Sequence, residues 1–235
     1  MFFHFDFLMY LFIAPAVILA MAAQWMVQSA YANMSRVRAR FSGYDAARQI
    51  LDSAGLFDVG IEQVPGQLSD HYDPTARVLR LSDGVYGSYS MAAVGIAAHE
   101  AGHAIQHARN YALMGIRSMA VPAASFGSSF GVIIASVGVS MVLSSMAAGK
   151  IVLLAGIVVF AGVVFFQLVN LPVEFDASAR AKRLLVAEGI IADVELPYVS
   201  KVLNAAALTY VAATLQSVLQ LAYFIFRLMH AREER

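Results

Sequence analysis

The chain has 235 residues, of which 60% are hydrophobic and 14% charged, and its mean hydropathy is +0.67. That is far from a soluble globular average and indicates an integral membrane protein. Formal net charge is zero and no basic cluster carries interleaved aromatics, so no nucleic-acid partner is expected. The absence of cysteine excludes disulfides and thiolate metal sites and leaves the redox compartment open.

Four charge-free stretches are long enough to cross about 30 Å of hydrocarbon: Phe7 to Ser35, Ser118 to Gly149, Ile151 to Val173, and Val202 to Phe226. The first reads as a retained anchor. Its start, MFFHFDF, has no basic region and carries Asp6, and the apolar run is long for a signal peptide. Next, Tyr44 to Ala54 has helical apolar spacing at Ala47, Ile50 and Leu51, with Gly55 as a cap. Asp58 to Val64 and Ala76 to Ser82 alternate weakly and read as short strands. Asp73-Pro74 and Asp83-Gly84 punctuate them.

Residues 84–98, GVYGSYSMAAVGIAA, carry no charge and are too short to span. Ser88 or Ser90 caps the buried helix predicted there. The second and third apolar stretches are joined only by Met146 to Lys150 and predict a tight hairpin. Pro172 then stops or kinks the membrane helix and starts a new one. The last stretch carries Thr209, Thr214, Gln216, Ser217 and Gln220. It either spans or packs its polar side against other helices.

Basic residues set orientation. Arg36, Arg38, Arg40 and Arg48 follow the first span, and Arg109 and Arg117 precede the second. Arg180, Lys182, Arg183 and Lys201 follow the third, whereas the hairpin loop has only Lys150. Residues 36–117 and 174–201 are therefore expected on the cytoplasmic side, with the N-terminus outside. A spanning fourth segment would carry Arg227, Arg232 and Arg235 outside, against the rule, so the side of the C-terminus stays open.

The predicted buried helix ends in His99-Glu100-Ala101-Gly102-His103. Two histidines four apart share one helix face, one turn apart, and reach one small ion. The glutamate between them reaches a water on that ion, which is the pattern of a zinc hydrolase. About one chain in a hundred of this length contains H-E-x-x-H by chance, so the motif needs its context. The context is a charge-free helix, in which a buried Glu100 is costly without a cation nearby.

A catalytic zinc takes three protein ligands and keeps one position open. On one straight helix His107 lies about 12 Å along the axis from His99 and cannot close the site without a break. The position ten residues after the first histidine is Arg109, so the metzincin pattern is absent. Glu174, in Leu171-Pro172-Val173-Glu174-Phe175-Asp176-Ala177-Ser178, follows the third span directly. The hairpin brings it back toward the motif helix. Ser178 shares its face at i+4 and can bond the glutamate or a ligand histidine.

The stretches Asp70 to Ser82 (DHYDPTARVLRLS), Ala97 to Ala108 (AAHEAGHAIQHA) and Leu171 to Leu185 (LPVEFDASARAKRLL) resemble the YugP-like neutral zinc metallopeptidases of bacterial membranes, themselves similar to HtpX-type gluzincins. The resemblance covers nearly the whole chain. It implies His99 and His103 as metal ligands, Glu100 as the catalytic glutamate, Glu174 as the third ligand and Zn2+ as cofactor. HtpX-type enzymes usually carry an aspartate where this chain has Ser178, and Asp176 is the candidate for that histidine-orienting role.

The expected fold is a mainly α integral membrane protein, with about four transmembrane helices and a small α+β zincin-like metallopeptidase domain. The expected division is an anchor at 7–35, soluble parts at 36–113 and 174–201, a two-span hairpin at 114–173 and a last membrane or membrane-associated helix at 202–229. The expected function is zinc-dependent hydrolysis of peptide bonds in membrane or juxtamembrane proteins, with Glu100 as general base. The strand around Val78 to Leu81 is the expected place for substrate to add as a strand. The expected partners are a protein or peptide substrate and membrane lipids, and the sequence sets no oligomeric state. The expected location is the bacterial inner membrane. The rivals are a site-2-type intramembrane protease and a non-catalytic zinc-binding scaffold. Glu100 argues against the scaffold, because a structural site needs no base.

Overall fold

The structure is a computed structural model that describes residues 7–231. Asp6, Arg232 and Arg235 lie outside the described residues. The chain is mostly helical with one small sheet. In order, the elements are α1 (Phe7–Met34), α2 (Gly43–Ser53), β1 (Gly60–Val64), β2 (His71–Asp73), β3 (Val78–Ser82), α3 (Asp83–Tyr86), α4 (Met91–Ala108), α5 (Ala112–Phe126), a π-helical turn (Gly127–Gly131), α6 (Val132–Leu143), α7 (Gly149–Ala187), a 3-10 turn (Asp193–Glu195) and α8 (Leu196–His230).

Among the described residues, four helical stretches are long and apolar enough to cross a membrane: Phe7–Met34, Ala112–Leu143, Gly149–Ala187 and Asp193–His230. Each overlaps one of the four stretches expected from sequence, and the second ends at Leu143, short of the expected Gly149. The Thr and Ser hydroxyls of the last bond within its own helix. Thr214 Oγ1 donates to the Tyr210 carbonyl at 2.8 Å and Ser217 Oγ to the Thr214 carbonyl at 2.9 Å, which satisfies these two donors without another helix.

The chain divides into two compact units. One comprises the described parts of Met1–Ala22, Ile116–Leu171 and Tyr210–Arg235. Its core gathers Ala135 and Val139 of α6, Leu153 and Phe160 of α7, and Tyr223 and Phe224 of α8. α6 and α7 approach so closely that a side chain at Gly156 would collide with the backbone of Ala135.

The other unit comprises Ala23–Gly115 and Pro172–Thr209. Here α2 starts with a capping box in which Ser42 Oγ accepts from the Asp45 amide at 3.1 Å. Its Ile50 and Leu51 are fully buried, as are Leu79 and Leu81 of β3 and most of α4.

Two expectations need correction. β3 is the central strand of the sheet, in the order β1-β3-β2, parallel to β1 and antiparallel to β2. Both its edges are hydrogen-bonded, so no substrate strand can add to Val78–Leu81. The third strand, β2, was too short to show a pattern in the sequence. The second correction is Pro172, which neither stops α7 nor starts a new helix: α7 continues through it to Ala187. A proline inside a helix removes one amide donor, and long apolar helices held by their packing absorb that loss.

Candidate metal centre

The motif helix α4 is built to be buried. Ser90 caps it, accepting from the Ala93 amide at 3.2 Å, and Ser88 Oγ donates to Ser90 Oγ at 3.1 Å. Ala92, Ala93, Ala97, Ala98, Ala101 and Ala104 keep its girth small, which suits the interior position and gives the best helix propensity. The helix ends at Arg109. There Asn110 takes a positive φ of 51° and the Tyr111 amide returns to the Gln106 carbonyl at 2.9 Å.

α4 and α7 bring together His99, His103 and Glu174, one ligand atom from each lying within 4.8 Å of the others. His99 Nε2 is 3.2 Å and His103 Nε2 3.4 Å from the same oxygen, Glu174 Oε2. Glu174 and His103 are buried. The other ring nitrogens face oxygens: His99 Nδ1 is 3.1 Å from Ser178 Oγ, and His103 Nδ1 is 2.9 Å from Gln106 Oε1. A ring that donates through Nδ1 presents a lone pair at Nε2. The two Nε2 atoms and a carboxylate oxygen converge on one small volume. A cation there turns mutual repulsion into coordination, and two imidazoles with a carboxylate are a donor set that suits zinc. The residues fit the metal.

Glu100 lies on the same helix, also buried. Burial pushes its carboxyl up to about 7, and the negative charges of Glu174 and Asp70 push the same way; His99 and a hydrogen bond from the Tyr72 backbone amide pull it down. The Tyr72 amide belongs to β2, which therefore abuts the motif helix. Asp70, just before β2, accepts from the Ser82 amide at 2.7 Å and from Ser82 Oγ at 3.0 Å. Its own carboxyl is raised by burial, against those hydrogen bonds.

The remaining candidates fall into place around this set. Ser178 meets His99, and Asp176 does not touch a histidine. Asp176 Oδ2 accepts from Gln106 Nε2 at 2.8 Å and from Arg180 Nε at 2.5 Å. His107 is outside the group and pairs through Nδ1 with the Tyr72 hydroxyl at 2.9 Å. Sequence reasoning missed Gln106 and Tyr72. Gln106 had a signal: at i+3 from His103 it shares the ligand face of a helix that is otherwise apolar. Tyr72 had none, since only the fold of the sheet carries its amide to Glu100.

A family model described as "Putative neutral zinc metallopeptidase" matches residues 9–229. The chain is 43% identical over 231 residues to "Putative membrane protease YugP" of Bacillus subtilis (strain 168), an alignment covering 97% of this chain and 100% of that one. No solved structure matches the chain. With a family match over nearly its whole length and a relative of that identity, the chain belongs to the neutral zinc metallopeptidase family.

Proposed function

We propose that this chain is a membrane-embedded zinc endopeptidase, gluzincin-like in its ligands, that cuts membrane or juxtamembrane proteins at the cytoplasmic face of a bacterial inner membrane. The observation that carries the reading is the convergence of His99 Nε2, His103 Nε2 and Glu174 Oε2 on the helix that also carries buried Glu100. Family membership supports zinc and peptide hydrolysis, and the Bacillus relative is named a membrane protease.

His99, His103 and Glu174 would hold the metal, and zinc bound there supplies an acidified water and a polarised scissile carbonyl. Glu100 Oε takes the proton of the attacking water and delivers it to the departing amine. Burial raises that carboxyl, which strengthens it as a base, and a bound cation works the other way. The Tyr72 amide holds that carboxylate in place. β2 is an edge strand of the sheet, and the Tyr72 amide on its free edge is taken up by Glu100. The stretches 36–113 and 174–201 form the zincin-like catalytic domain, and 7–35, 114–173 and 202–229 are its membrane part.

The cytoplasmic placement rests on the basic residues at 36–48, 109–117 and 180–201 against the single Lys150 of the hairpin loop. A cysteine-free chain permits a direct test. Single cysteines at Ser53 and at Met146 should label from opposite sides of intact cells, Met146 from outside. Labelling of Ser53→Cys from outside contradicts the orientation. Hydrolysis is tested by incubating the detergent-purified chain with an unfolded protein: cleavage should need one zinc per chain and stop when a chelator removes it.

One observation favours a second reading. α7 is unbroken through Pro172, so Glu174 extends directly from a helix apolar enough to span, as a ligand would in a site-2-type intramembrane protease. α4, which carries both histidines, is not among the helices long and apolar enough to cross a membrane, and this supports the juxtamembrane reading. Cleavage of a soluble unfolded protein separates the two, since a site inside the bilayer admits only membrane-spanning substrates.

A further inference from the structure

Gln106 is 0% exposed, and a buried primary amide needs partners for all its hydrogen-bonding atoms. Its Nε2 donates to the Val173 carbonyl at 2.8 Å and to Asp176 Oδ2 at 2.8 Å. Its Oε1 lies 2.9 Å from His103 Nδ1. Rotating the amide by half a turn would set Oε1 against two oxygens at once, so this orientation is the only one the surroundings permit. An oxygen fixed beside Nδ1 requires the ring proton on Nδ1. The partner of His99 is different in kind. Ser178 Oγ is a hydroxyl, which donates or accepts as the ring requires, and it imposes no tautomer. Of the two metal histidines, only His103 therefore has its proton placed by its neighbour.

The same amide also spans the two ligand-bearing helices. Gln106 rides on α4 one turn from His103, and its two acceptors, Val173 and Asp176, flank Glu174 on α7. Asp176 is in turn held by Arg180 at 2.5 Å, whose guanidinium lies 5.8 Å over the ring of Tyr111. Tyr111 follows directly on the end of α4, where its amide bonds to the Gln106 carbonyl at 2.9 Å. The chain of contacts thus closes on itself: Gln106, Asp176, Arg180, Tyr111, Gln106.

We propose that Gln106 is a positioning residue for the metal centre: its amide, oriented by Val173 and Asp176, fixes the ring proton of His103 on Nδ1, reserves Nε2 for the cation and sets α4 against α7 at the level of Glu174. This rests on the reading of His99, His103 and Glu174 as a metal site. Glutamate in this place would still accept from His103, yet would set a second carboxylate against Asp176. Methionine would fill the volume and orient nothing.

The test measures zinc affinity by chelator competition for wild type, Gln106→Met, Gln106→Glu and Glu174→Gln in detergent. It also reads the His103 ring by 15N NMR of the zinc-loaded wild type, where a cation on Nε2 leaves the ring proton on Nδ1. The expected result is the Nδ1–H tautomer in wild type and zinc binding weakened about 10–100-fold in both Gln106 variants. Glu174→Gln should be weaker still. An Nε2–H ring on His103, or Gln106→Met binding zinc as tightly as wild type, overturns the proposal. If both Gln106 variants fail to fold, the wild-type tautomer alone decides it. Wild type that takes up no zinc overturns the metal-site reading itself, an outcome separate from unchanged affinity in the Gln106 variants.

Discussion

Gly102 and Ala177 meet where α4 crosses α7: a Cβ on Gly102 would lie 2.9 Å from the Ala177 carbonyl oxygen. Ala177 is fully buried and sits between Asp176 and Ser178, three residues after Glu174. The glycine inside His99-Glu100-Ala101-Gly102-His103 therefore has a packing reason. It lets two helix backbones approach closely enough for histidines on one to share a cation with a carboxylate on the other.

Replacing Gly102 by alanine should push the two helices apart by a few tenths of an ångström or more. The expected cost is about 1–3 kcal/mol of stability, with weaker zinc binding because Glu174 withdraws from the histidines. Thermal unfolding in detergent and chelator competition check both. The intrinsic helix preference of alanine over glycine works the other way, by about 1 kcal/mol, so a variant that is more stable and binds zinc normally contradicts the close approach.

Glu174→Gln and Asp176→Asn should differ sharply. Glu174 faces both histidines, and the amide that replaces it is a poor metal ligand, so zinc affinity should fall by more than about 100-fold, beyond the usual effect of a residue behind the ligands. Asp176 acts through Gln106, and its asparagine variant keeps an oxygen to accept from that amide. Its loss should stay within about 10-fold. Zinc content after dialysis against a weak chelator reads both, and loss confined to Asp176→Asn reverses the assignment.

Glu100 predicts a pH dependence of stability in the zinc-free protein. Its folded-state pKa of about 7 lies above the ordinary 4.5, chiefly through burial. The folded state therefore holds a proton that the unfolded state has already released. That contribution is fully present below about 4.5 and is lost as pH rises through about 7. Relative to Glu100→Gln, zinc-free wild type should lose thermal stability across that window, and equal slopes for the two proteins refute the shift. In the loaded protein the dication favours the carboxylate, so the acid limb of kcat/KM should fall below 7.

The spans, the motif helix and the return of Glu174 toward it were legible in the sequence because each rests on a local rule: apolar length, helical spacing of His99 and His103, and a hairpin too short to go elsewhere. What was not legible depends on neighbours distant in sequence. β2 has only three residues and shows no alternation. β3 reads as a strand from its pattern, yet which strands flank it is a matter of tertiary pairing. Pro172 signals a break by its chemistry, and the surrounding apolar helix overrides it. Gln106 looks like an ordinary polar residue until Val173 and Asp176 arrive from α7 to orient its amide.

The most direct measurement compares wild type with Glu100→Gln, purified in detergent, for zinc content and for cleavage of an unstructured protein. The expected result is one zinc in both and hydrolysis only in wild type, with the variant slower by about 100-fold or more. Equal cleavage by both, or full zinc with no hydrolysis by wild type of this or any membrane substrate, contradicts the role given to Glu100 and leaves a zinc-holding scaffold in its place.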